Sequence, residues 1–259
     1  MIVADEPDGS LLLVCQPDHA ATAAQIASAW RRPQAWDVPI WPRFIEAVER
    51  HDDGWIEAEV CPPLDEAGRP HDFKTIHTRD HVAVWLRGID LAAEHDTYVA
   101  LLVALHARWL YTHVEQETVE EMQIAQRFVD QITLGIDEFI GELRDGSPQE
   151  RTAVSPSRLS DARRLLSFFD AFTLALAGGV EWIDEIGPLS FDDQVSSFSL
   201  TPGTADEIAI GPWPLSRGQL EISTRAKRLP QARFDNQDAF YELAASTESV
   251  ELTWQLRPA

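Results

Sequence analysis

The sequence predicts a mainly α protein: a helical bundle with a small antiparallel β-sheet formed from the N- and C-terminal segments, α+β overall. Three observations carry that expectation. Apolar residues recur at helical spacing through most of the stretch from Ala20 to Val180. Both ends of the chain instead show short alternating runs broken by turn residues. The 259 residues, 44% hydrophobic and 25% charged, suffice for one sizeable core. The chain therefore reads as a single domain over 1–259, with a helical core at 15–185 and a small β-rich subdomain built from 1–15 and 188–259.

Ile2-Val3-Ala4, the Pro7-Asp8-Gly9 turn and Leu11 to Cys15 form a hairpin pattern. Asp18 is the expected N-cap of an alanine-rich helix reaching Trp30. Pro33, Pro39 and Pro42 then break the chain around Trp36 and Trp41, and Pro42 suits the first turn of a second helix. Its apolar stripe is Phe44, Ile45 and Val48, its last turn is His51-Asp52, and Gly54 is placed to stop it. Pro62, Pro63, Gly68 and Pro70 mark residues 60–74 as a long loop, a feature more often functional than idle.

A third helix is expected from about Ile76 to Ala93, and Asp96 caps an apolar fourth from Tyr98 to His113. An acidic amphipathic fifth runs through Met122, Phe128, Ile132, Ile136 and Ile140 to the Asp145-Gly146-Ser147-Pro148 turn. Ser155 or Ser160 opens a sixth, closed by Gly178-Gly179. Beyond Pro188, strands are expected at Glu207 to Ile210, Leu220 to Thr224 and Val250 to Leu256, with a short helix near Gln237 to Ala245.

Charge narrows the partners. Asp plus Glu number 43 against 21 Lys plus Arg, a formal charge of −22 that repels nucleic acid and anionic membrane surfaces. The longest apolar stretch, Leu165 to Val180, is interrupted by Asp170 and falls short of the roughly 18 residues of a membrane span. No basic, apolar leader opens the chain. Cys15 and Cys61 match no zinc or redox spacing, which fits a reducing cytoplasm. Serine-nucleophile elbows and Gly-rich phosphate loops are also missing.

Asp170 is the most informative position, because a carboxylate inside a run of Leu, Phe and Ala needs a partner. An arginine such as Arg164 is one choice, and a metal ion is another. His106 sits in the apolar run Tyr98 to Leu105 and is either a satisfied core histidine or, with His113 two turns on, part of a groove. His51-Asp52 is either a polar helix terminus or a ligand pair, and His19 either a polar cap residue or another ligand. His77 and His81 share a helix face and suit a divalent ion, but a solvent-facing helix start explains them better. His71 and His95 take no role. Each of His19, His51-Asp52, His106 and Asp170 falls on a different expected helix, and bundles build metal sites from inward His and acidic residues on facing helices.

That order resembles the HD-domain superfamily of metal-dependent phosphohydrolases, whose pattern is a first His, a His-Asp pair ending a helix and a distant Asp in an apolar helix. More closely, the chain resembles a bacterial family of uncharacterised proteins with an Asp-His near the N-terminus, a His-Asp-Asp-Gly-Trp motif and a later Leu-His. These stand here as Asp18-His19, His51-Asp52-Asp53-Gly54-Trp55 and Leu105-His106. The superfamily pattern often places a lysine just after the pair, whereas here Asp53 and Trp55 flank Gly54.

The resemblance implies an HD-like bundle and a hydrolase of a small-molecule phosphate ester. One divalent ion (Mn, Fe, Mg or Zn) would lie on His19, His51, Asp52 and Asp170, with His106 lining the pocket or serving a second ion. By position, Asp53 would orient water, and Arg79 or Arg108 would neutralise substrate phosphate. The competing expectation is a non-catalytic helical module that binds a ligand or protein and keeps the constellation as a structural polar network.

Overall fold

The structure is a computed structural model that describes residues 1–60, 62–113, 118–191, 194–204 and 206–259, so Cys61 lies outside the described residues. The chain opens with β1 (Ile2–Asp5) and β2 (Leu11–Val14) and continues through α1 (Gln16–Ala29), α2 (Ile40–Arg50), the single turn α3 (Trp55–Ala58) and α4 (Thr78–His95). Then come α5 (Thr97–His113), α6 (Val119–Asp145), α7 (Pro148–Ala153) and α8 (Pro156–Leu176). The remainder is β3 (Glu185–Phe191), β4 (Gln194–Pro202), β5 (Glu207–Gly211), β6 (Leu220–Leu229), α9 (Gln237–Ser246) and β7 (Ser249–Pro258).

Helix α5 is the hub. Its residues are buried without a break from Tyr98 to Ala107, because α2, α4, α6 and α8 surround it. Asp96 starts it by accepting the backbone N–H groups of Tyr98 and Val99 at 2.7 and 3.0 Å. A Thr118–Glu121 capping box opens α6, which buries Phe128, Ile132 and Ile136 on one stripe. Helix α8 ends as expected: Gly178 takes a positive φ of 74°, and the N–H of Gly179 closes on Leu174 O at 2.8 Å. Among the described residues no helix is long and apolar enough to cross a membrane.

Two local expectations change. Asp18 does not cap α1; it lies within the first turn and pairs with Arg225 at 2.7 Å. The carboxylate of Glu59, just past α3, receives the Gln16 N–H at 2.9 Å instead, so the cap comes from distant sequence. Gly54 does not stop α2 through a left-handed turn. Its φ of −59° and ψ of −22° are right-handed.

The larger correction is the sheet. Among the described residues seven strands form one mixed sheet in the order β1-β2-β6-β7-β5-β4-β3, so the protein is neither a mainly α bundle with a small antiparallel sheet nor all-α. Strands β5 and β7 run parallel, and the other neighbours are antiparallel. The sheet belongs to the main core: Phe198, Leu200, Ile210, Ile222 and Leu256 share one apolar cluster with Trp30, Phe168 and Phe169. The ring of Trp30 joins the layers, 5.1 Å from Phe168 and 5.2 Å from Phe198. Strands β3 and β4 escape a sequence reading because Gly, Pro and Ser interrupt residues 185–202, and only Phe198 and Leu200 show the inward alternation in β4.

Gly54 earns its place through packing. A Cβ there would run into the carbonyl oxygen of Val84 and stand 2.9 Å from Gly88 N, so the turn after α2 lies against the backbone of α4. We expect Gly54→Ala to overpack this contact and cost about 1–3 kcal/mol or more in urea unfolding. An unchanged midpoint would show that the close approach is not needed.

Candidate metal centre

Five side chains from four helical segments and one turn meet behind a cavity of about 520 Å³. His19 lies in α1, His51 caps the C-terminus of α2, Asp52 follows in the turn, His106 comes from α5 and Asp170 from α8. All three histidines and Asp52 are buried, between 1% and 5% exposed. His51, Asp52, His106 and Asp170 line the cavity, and His19 completes the cluster beside them. Asp170 thus meets histidines and not Arg164.

Hydrogen bonds fix the ring tautomers. Nδ1 of His51 lies 2.7 Å from Val48 O, an acceptor only, so it carries a proton, and in the neutral ring Nε2 presents a lone pair. That Nε2 is buried without a hydrogen-bond partner. Thr173 donates its hydroxyl proton to Phe169 O at 2.9 Å and therefore accepts from Nδ1 of His19, also at 2.9 Å. In neutral His19 the Nε2 lone pair then faces Oδ2 of Asp52 at 3.1 Å, an arrangement that needs a proton or a cation between the two.

The separations match a coordination shell. Donors each about 2.1 Å from one ion lie about 3.0 Å apart at a right angle and about 3.4 Å apart at the tetrahedral angle. Here His19 Nε2 is 3.1 Å from Asp52 Oδ2 and 3.5 Å from Asp170 Oδ1. His51 Nε2 is 3.5 Å from each of those two oxygens. His106 stands one step out, with Nε2 3.4 Å from Oδ2, the second oxygen of Asp170, and Nδ1 3.1 Å from Ser167 Oγ. It orients Asp170 more directly than it joins the shell. The donors form two groups able to hold an ion, His19–His51–Asp52 and His51–His106–Asp170, which share His51. One Nε2 lone pair serves one ion.

Charge favours a divalent ion. With neutral imidazoles the pocket holds a buried carboxylate, Asp52, and a largely buried one, Asp170, and carboxylates so placed must be paired or bind metal. Without an ion, protons do that work. Burial opposes a charged His51, but Asp52 and Asp170 outweigh it and push its pKa up to about 9. Burial likewise works against ionised Asp170, yet His106 and His51 hold its carboxyl far below the usual range.

The remaining assigned residues lie elsewhere. Asp53 does not line the cavity, and its carboxylate is held by Arg50 at 3.1 Å. Arg79 is exposed and paired with Glu120 at 3.2 Å, and Arg108 is also outside the lining, so neither is placed to meet substrate phosphate there. His113 is exposed and stacks on Trp109, so it shares no groove with His106.

Sequence reasoning missed several lining residues: Gln16, Lys74, Trp85 and Tyr111. Lys74 ends the predicted loop, which is pinned to the hairpin by Val3 N–H to Asp72 at 3.0 Å and Phe73 N–H to Met1 O at 2.9 Å. Of His77 and His81, both expected to face solvent, His77 is exposed and still borders the cavity, whereas His81 is half-buried in its lining. The indole of Trp85, one turn after His81, was the available signal.

Fold and site together define a helix-and-sheet protein with a buried His/Asp cluster suited to a divalent cation at the wall of an open cavity. The chain belongs to the family described as protein of unknown function (DUF3891), whose family model matches residues 1–231. No curated protein and no solved structure matches it.

The folded pKa of His51, about 9, lies above the ordinary histidine value of 6.5. Its protonation therefore stabilises the metal-free fold fully below about pH 6.5, and that contribution is lost as pH rises through about 9. A metal ion held there would replace this proton, so calorimetry of metal titration in buffers of different ionisation heat should show about one proton released at pH 7.5. Affinity should tighten about tenfold per pH unit up to about pH 9. Affinity independent of pH with no proton release would contradict the ligand role of His51.

Proposed function

We propose that the protein is a metal-dependent phosphohydrolase acting on a small-molecule phosphate ester, in the manner of the HD-domain superfamily its motifs resemble. The observation that carries this reading is the orphaned Nε2 of His51, buried among two carboxylates and the Nε2 of His19 at separations suited to a common ion. His19, His51, Asp52 and Asp170 would hold the ion. Two imidazoles and two carboxylates suit Mn, Fe or Zn better than Mg, which prefers an all-oxygen shell. Such an ion supplies Lewis-acid polarisation of a phosphoryl oxygen and acidifies water.

The chain's own residues prepare the site for that chemistry. Thr173 and the Val48 carbonyl fix the faces of His19 and His51, and His106 holds the outer oxygen of Asp170. Lys74 is the one Lys or Arg lining the cavity among the described residues. Its ammonium is anchored 2.6 Å from Gly179 O and 3.7 Å from Asp72, and it offers the positive charge that Arg79 and Arg108 do not bring here. Trp55, Phe73 and Trp85 exclude water from part of the lining. A reducing cytoplasm belongs to the same reading and rests on the cysteine pattern alone.

The test pairs metal content with phosphate release. Protein purified without chelator or nickel resin should hold about one Mn, Fe or Zn, and Asp52→Asn and Asp170→Asn should lose it while keeping the fold. Phosphate release from nucleotides and generic phosphoesters should fall at least about a hundredfold in both variants. A structural polar network predicts the reverse: unchanged metal content, and a metal-free Asp52→Asn protein less stable by about 1–3 kcal/mol. That result, or silence of the wild type across the panel, would count against the hydrolase.

A further inference from the structure

His81 and Tyr111 line the same cavity from α4 and α5, and neither belongs to the His/Asp cluster. The indole N–H of Trp85 donates to Nε2 of His81 at 3.0 Å. Indole nitrogen is a donor only, so Nε2 of His81 carries no proton. Burial lowers the His81 pKa to about 4, which keeps the ring neutral near pH 7 and leaves its one proton on Nδ1.

Nδ1 stands 3.0 Å from the Tyr111 hydroxyl, so the imidazole donates and the phenolic oxygen accepts. The phenolic proton cannot point back along that bond. Tyr111 is 8% exposed, and among the described residues its hydroxyl has no other hydrogen-bond partner. A buried donor without an acceptor costs free energy. The cavity is the space it has left to face.

We infer that Tyr111 is a ligand-binding residue whose hydroxyl, turned outward by the Trp85–His81 relay, donates a hydrogen bond to an anionic oxygen held in this cavity. That the oxygen belongs to a phosphoryl group rests on the phosphohydrolase reading; the direction of the donor does not. His81 is a positioning residue, and Trp85 sets its tautomer. A donor fixed before binding pays no reorganisation cost when the anion arrives, which is how preorganised sites gain their strength. The relay also selects its ligand, since an oxygen acceptor is welcomed and an ammonium or amide N–H at the same spot is refused.

The probe is inorganic phosphate, titrated calorimetrically into Mn-loaded wild type and Tyr111→Phe, with Mn affinity and melting temperature measured for both. The variant should bind phosphate about ten- to a hundredfold more weakly with metal affinity unchanged, and any drop in melting temperature, from the His81 N–H left without its acceptor, should be the same with and without phosphate. Long-range proton–nitrogen NMR of wild type should place the His81 proton on Nδ1 from pH 6 to 8. Equal phosphate affinity in Tyr111→Phe, or a proton on Nε2 of His81, overturns the assignment. Wild type that holds Mn but no phosphate overturns it too and leaves the metal centre standing. Protein that holds no Mn overturns the metal reading instead. In that event phosphate bound by metal-free wild type and lost in Tyr111→Phe keeps the donor, and phosphate bound by neither removes it.

Discussion

Two carboxylates withdrawn from water within reach of the same imidazoles set the terms for the rest of this structure. Asp52 and Asp170 repel one another, and burial opposes the ionised form of each. Positive charge must therefore stand between or beside them. The surrounding groups are arranged to receive it: His51 and His19 use their Nδ1 protons on a carbonyl and a hydroxyl, which leaves both Nε2 lone pairs facing inward. A core that needed only packing would not turn two nitrogens and two carboxylates toward one point.

The scaffold explains how such a cluster is held. The Asp52–Gly54 turn is pressed against α4 because Gly54 and Gly88 allow backbone to meet backbone. His106 projects from a helix enclosed on all sides, and Asp170 and Thr173 ride on α8 one turn apart. The sheet braces this arrangement from behind. Thr22 in α1 donates to Ser223 O of β6 at 2.9 Å, and Phe168 and Phe169 of α8 enter the same core as the inner face of β4. Displacing either helix would open the separations on which the proposed ion binding depends.

The inner cluster was legible because each of its members breaks a local pattern. Asp170 among Leu and Phe, and His106 after eight residues of an apolar helix, are polar groups where burial is costly, and that cost is readable without coordinates. The outer cavity was not. Lys74 sits in a loop rich in polar residues, and His77 and His81 open a helix with charged neighbours, so nothing in their immediate sequence separates them from ordinary surface. Lys74 and His77 are exposed members of the lining, and the half-buried place of His81 owes as much to Tyr111 of α5 and Trp55 as to Trp85 one turn on. The parallel pairing within the sheet was hidden for a similar reason. Strand β7 is paired on both sides, by β6 and by parallel β5, and a parallel partner leaves no turn signature between the two strands.

The central claim is that one ion is shared by these donors. Anomalous diffraction from crystals of the protein, collected at the absorption edges of Mn, Fe and Zn, tests it most directly. The account predicts a single peak about 2.0–2.3 Å from Nε2 of His19, Nε2 of His51, Oδ2 of Asp52 and Oδ1 of Asp170. Crystals grown with each metal that show no peak there, or place the ion on another set of ligands, would contradict it.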